Sequence, residues 1–144
     1  MIIRKKWVLF TIIIALALIS GCTYGSYTTT GSIEVSTFSK MSMSYKKFNG
    51  YKTTELNIKE GEKYQVDVSV VTDEGRLGMT VVREEAKGDK KDNSEEGENI
   101  YKAEDIATSD FKINLDQPGK YKITVTGENH KGKFNITWDK VDKK

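Results

Sequence analysis

With 144 residues the chain has room for one domain of ordinary size and little more. Its charged residues balance to a formal net charge of +2, so the composition supplies no basic surface of the kind that holds nucleic acid or an anionic membrane. A single cysteine excludes an intramolecular disulfide, and a single histidine leaves little for general-base or metal chemistry.

Met1 is followed by Arg4, Lys5 and Lys6, then by an apolar run from Trp7 to Ile19. As a helix that run covers about 20 Å, short of the roughly 30 Å of a hydrocarbon core. A basic head before a short apolar core is signal-peptide architecture. Ile19-Ser20-Gly21-Cys22 comes next and resembles the lipobox of bacterial lipoproteins: an aliphatic residue, two small residues and a cysteine. The resemblance implies that residues 1–21 are removed and that Cys22 carries a diacylglycerol at the start of the mature chain. Two acyl chains hold a protein firmly at a membrane, where one binds only marginally. Without Arg4, Lys5 and Lys6 the chain keeps 20 basic against 21 acidic residues, close to neutral. Basic residues are nearly all lysine, which fits an AT-rich, low-GC Gram-positive source.

Residues 22–32 form the lipidated Cys and a small, polar stretch without apolar period, which reads as a flexible tether. From there to about residue 140 the chain alternates with period two. Tyr64, Val66, Val68 and Val70 face one way, as do Leu77, Met79 and Val81, Phe111, Ile113 and Leu115, Tyr121, Ile123 and Val125, and Phe134, Ile136 and Trp138. The stretch from Asn99 to Ala107 is too short and too weakly patterned for a helix. Many short strands between turn signals predict an all-β, antiparallel, jelly-roll-like sandwich over residues 33–140.

Asn49-Gly50 carries the chemistry of a two-residue type I′ turn. Closing a hairpin there pairs Phe48 with Tyr51 and sets Met41 opposite Ile58, and Met43 opposite Leu56, with the aliphatic positions on one face. Phe48 and Tyr51 then fall on the polar face with Ser44, Lys46, Thr53 and Glu55. Pro118-Gly119 and the segment Gly127 to Gly132 read as two further turns.

Phe111-Lys-Ile-Asn-Leu-Asp-Gln-Pro-Gly-Lys-Tyr-Lys-Ile-Thr-Val-Thr-Gly127 and Phe134-Asn-Ile-Thr-Trp138 resemble the closing strands of bacterial pre-peptidase C-terminal domains. Leu56 to Val68 is similar to an earlier strand, Gly turn and strand of that family. The resemblance implies a small sandwich related to carbohydrate-binding modules, and it bears on fold more than on function.

The residue inventory argues against a hydrolase. His130 sits in Glu128-Asn129-His130-Lys131-Gly132 and reads as an exposed turn residue, and Cys22 is consumed by lipid. The acidic segment 84–99 lacks the ligand spacing of a calcium loop and reads as a solvated loop. No metal or cofactor is expected. Flat aromatics stack on sugar rings, so Phe48 and Tyr51 are the candidate ligand-binding pair. The expected protein is a non-catalytic lipoprotein at the outer face of the cell membrane, binding an envelope glycan or an exported protein. Its rival is a regulatory or protective lipoprotein that masks a membrane protein.

Cys22→Ser should stop lipid transfer, leaving an uncleaved precursor or a chain released from the membrane fraction. Fractionation followed by gel mobility reads this, and mature membrane-bound protein of unchanged mobility would rule the assignment out.

Overall fold

A computed structural model describes residues 23–84 and 97–142; residues 1–21, expected to be a signal peptide, Cys22 and most of the acidic segment lie outside these. Seven strands make up the described chain: β1 (Thr23–Thr30), β2 (Ile33–Thr37), β3 (Lys40–Ile58), β4 (Tyr64–Glu84), β5 (Glu98–Ala103), β6 (Ser109–Leu115) and β7 (Gly119–Lys140). All pairings between them are antiparallel.

Three of these strands are far longer than an ordinary strand of five or six residues. Each serves two sheets. The first halves of β3 and β4 and the second half of β7 pair with one another, flanked by β2 and β6. The remaining halves pair with one another, flanked by β1 and β5. We call these sheet 1 and sheet 2. Their apolar faces form one core that includes Met41, Val68, Phe134 and Ile136 from sheet 1 and Leu56, Met79, Val81 and Ile123 from sheet 2. Side chains on one face of a sheet become fully buried only when another layer covers them, and here each half covers the other. The result is the antiparallel β-sandwich that the alternation predicts.

The hairpin at Asn49-Gly50 is not formed. β3 runs straight through it, and Met41 faces Ile136, Met43 faces Phe134 and Leu56 faces Tyr121. A type I′ turn needs positive φ at both central residues, but only Gly50 has it, at 111°. The core positions of β3 are odd at Met41, Met43 and Tyr45 and even at Phe48, Lys52, Thr54, Leu56 and Ile58, while Thr53 is buried on the other face, opposite Tyr24. One extra residue in a strand changes that parity as a two-residue turn does, and the pairing with β7 slips between Tyr45 and Phe48. The same switch occurs in β4 between Val70 and Leu77, and in β7 between Gly127 and His130. Gly127 to Gly132 is therefore also continuous strand rather than a turn, with Asn129 at φ 47° taking the strained position. The three bulges lie side by side, since Phe48 pairs with His130 and Thr72 with Gly132. Along that line the sheet bends over.

Residues 23–30 form strand β1 on the edge of sheet 2 rather than a tether. Threonine and tyrosine favour an extended, half-buried backbone, and Tyr27 packs edge-on against Phe48 at 5.7 Å between ring centroids. Asn99 to Ala103 belongs to strand β5.

A β-carbon on Gly127 would come 2.2 Å from Cδ1 of Phe48. Gly127→Ala should thus cost about 1–3 kcal/mol of stability, the usual range for overpacking. Adding Phe48→Leu should return part of that loss, read by urea denaturation of the single and double variants. Additive losses would mean that the two residues do not meet.

Candidate functional site

Phe48 cannot meet a ligand. It is 0% exposed, ringed by Tyr27, Tyr45 and Phe134 in the core. Its assignment to a polar face depended on the hairpin, and the bulge turns it inward. Tyr51 is 43% exposed on the outer face of sheet 2, as expected. Tyr24 stands beside it at 44% exposure. Tyr24 pairs with Thr53 and Ser26 pairs with Tyr51, so the two tyrosines are diagonal neighbours on adjacent strands, about 7–8 Å apart. Thr53, opposite Tyr24, is buried at 3% exposure with its hydroxyl bonded to that of Thr124 at 2.8 Å, and on the surface beside the rings lies Glu55, which Lys120 meets at 3.0 Å. The Tyr24 hydroxyl donates to Glu55 Oε1 at 3.4 Å. Two flat rings with hydroxyls, a carboxylate and an ammonium beside them form a platform. Sequence reading missed Tyr24 because it lay in the supposed tether; its period-two relation to Ser26 and Thr28 was the available signal.

A second concavity, of about 380 Å³, lies on the outer face of sheet 1. Asp67, Ser69, Asp110, Lys112 and Asn135 line it, and Lys112 reaches Asp67 at 3.2 Å. Asn135 Oδ1 is buried there without a hydrogen-bond partner among the described residues.

A third feature closes the edge where β1 faces β2. Lys52 is 1% exposed; its ammonium meets the Glu34 carboxylate and lies 5.7 Å from the centroid of the Tyr27 ring. The Tyr27 hydroxyl donates to Glu34 Oε2 at 2.8 Å. Burial pulls the Lys52 amine down to about 8, while the carboxylate against it works the other way and keeps it charged at neutral pH. Glu34 belongs to sheet 1 and Lys52 to sheet 2, so the pair joins the two layers. Lys52 shares its parity with the buried Thr54, Leu56 and Ile58, which was legible in the sequence.

His130 is not an exposed turn residue. It is wholly buried at the bend. The Thr72 hydroxyl donates to the Ile106 carbonyl at 2.7 Å, so it accepts from His130 Nε2–H at 2.9 Å. Nδ1 is then the acceptor for the Tyr45 hydroxyl at 2.7 Å. Burial pushes the Tyr45 phenol upward and keeps it a donor. Both imidazole nitrogens are engaged within the core, which is the opposite of what a general base needs. Among the described residues no group of His, Cys, Asp or Glu is placed to hold a metal ion.

No protein-family model matches the chain, and no curated protein sequence matches it. Among solved structures it is similar to a carbohydrate-binding module of promiscuous specificity from the β-sandwich superfamily. That match has 10% identity and a TM-score of 0.44, over 85% of this chain and 58% of the other. A carbohydrate-binding module of family 4 has 10% identity and a TM-score of 0.40, over 78% and 80%. The enzymatically active domain of tailspike protein 4 from bacteriophage CBA120 has 11% identity and a TM-score of 0.43, and this chain spans 19% of it. Overlaps of this degree carry no information on ligand or activity.

Burial lowers the His130 pKa, with Asp73 opposing in part. The unfolded chain then binds the proton more readily, so stability should fall as pH drops below the ordinary value of 6.5 and level off once pH passes below the folded value. His130→Gln should remove that component of the pH profile. Equal slopes for the two proteins between pH 7 and pH 5 would show that His130 titrates normally.

Proposed function

We propose that the chain is an exported lipoprotein, anchored through Cys22 to the outer face of the cell membrane, whose sandwich holds a cell-envelope glycan on the face of Tyr24 and Tyr51. The observation that carries the glycan reading is the exposed tyrosine pair on adjacent strands, set beside the Glu55 and Lys120 side chains. Sugar rings have an apolar face for stacking and an equatorial rim of hydroxyls, and this platform offers a partner to each. Supporting the absence of catalysis, the histidine is held on both nitrogens inside the core. The lipid anchor rests on the basic head, apolar core and lipobox spacing of residues 1–22. Near-neutral charge in the mature chain favours neither nucleic acid nor a charged polymer.

A second reading has one observation in its favour. All five residues of β2 are exposed, and Ile33 stands 75% exposed beside Val35 on a sheet edge that no other strand of the described residues pairs. Such an edge accepts a strand from an exported protein.

Retention of the detergent-solubilised full chain on purified wall polysaccharide separates the two readings. Tyr24→Ala with Tyr51→Ala should weaken retention about fivefold or more, from roughly 0.5–1.5 kcal/mol lost at each ring. The fold should survive, because both side chains are exposed. Unchanged retention in the double variant, or none in the wild type, removes the glycan reading.

A further inference from the structure

Among the described residues the chain crosses between sheets only at two levels, the bend and the opposite, open end. At the open end lie the Phe38-Ser39 turn between β2 and β3, the Lys59–Lys63 connection and the end of β7. β1 also starts toward this end: it runs from Thr23, opposite Thr54, to Thr30, opposite Lys47 at the bend. Thr23 and Tyr24 share one cleft with Glu34 and Ser36, and Phe38 lies two residues beyond Ser36. The start of β1 and the Phe38 turn therefore occupy one corner of the sandwich.

Phe38 is 78% exposed, more than any other large apolar side chain of the described residues. The turn behind it is firm: Trp138 Nε1 donates to the Phe38 carbonyl at 3.0 Å, and the Trp138 amide donates to the Ser39 carbonyl at 3.0 Å. Val141 is exposed at the same end, and Lys40 follows the turn.

We propose that this corner rests on the lipid bilayer, with Phe38 inserted at the headgroup boundary beside the acyl chains of Cys22. The inference rests on the lipid-anchor reading above and deepens it. Since β1 begins at Thr23, no tether separates the anchor from the fold, and Cα23 is one peptide, about 3.8 Å, from Cα22. The corner is thus held at the bilayer surface, and Phe38, the most exposed apolar ring on it, meets lipid. The bend, with Ala107 on its connection, points away from the membrane.

The test uses full-length lipidated protein reconstituted into phosphatidylglycerol and phosphatidylethanolamine vesicles. Phe38→Trp and Ala107→Trp are compared with and without lipids brominated near the headgroup. The expected result is that brominated lipid quenches most of the emission added by Phe38→Trp and leaves that of Ala107→Trp unchanged. Both unquenched while the protein co-sediments with vesicles, or both quenched alike, overturns the proposed orientation and leaves the anchor standing. Failure to co-sediment overturns the anchor and the orientation with it.

Discussion

A buried histidine, hydrogen-bonded at both ring nitrogens on the line where three strands bend, is the constraint on which the rest of the structure depends. Tyr45, His130 and Thr72 come from β3, β7 and β4, the three strands that both sheets share, and the Ile106 carbonyl that ends the chain of hydrogen bonds comes from the link between β5 and β6. Bulges leave backbone irregular and would expose core to water unless something filled the corner. Phe48 fills it with apolar volume, and the histidine network ties the strands across it in one geometry. A protonated imidazole has no acceptor for its second N–H on the Tyr45 side unless the phenol turns, and the phenol hydrogen then loses its partner. The bend thus favours the neutral ring.

Strand positions were legible wherever apolar residues alternated, because period two places them on one face irrespective of what they pack against. Val66 to Val70, Leu77 to Val81 and Phe134 to Trp138 all emerge buried as their spacing required. What the pattern could not distinguish was a turn from an added residue. Both convert odd to even, so the agreement of Met41 with Ile58 and Met43 with Leu56 fitted a hairpin while the chain in fact ran on into a second sheet. Asn49 and Gly50 misled for a related reason: Gly50 does need its positive φ, but for a bulge that passes close under Ser26. His130 was misplaced by the same reasoning, since its neighbours have turn composition and only the bend buries it.

The candidate site was half legible. Tyr51 lay on an outer face under either topology, whereas Phe48 depended on the hairpin and moved to the core. Tyr24 became its neighbour once residues 23–30 joined sheet 2. With Cys22 as the proposed lipid site, that change also removes the slack between anchor and domain, and a ligand of the tyrosine face would then lie close to the membrane. Across the edge, Lys52 and Glu34 join β3 of sheet 2 to β2 of sheet 1 by charge rather than apolar packing. Removing either partner of such a pair leaves an unpaired charge at the seam.

The most direct measurement is the protonation state of the His130 ring by ¹⁵N NMR of the full chain in detergent. The ring should be the neutral tautomer with hydrogen on Nε2 and a bare Nδ1, persisting below the ordinary imidazole value of 6.5. An imidazole that titrates at that ordinary value, or one that carries its hydrogen on Nδ1, would contradict the bend as described here.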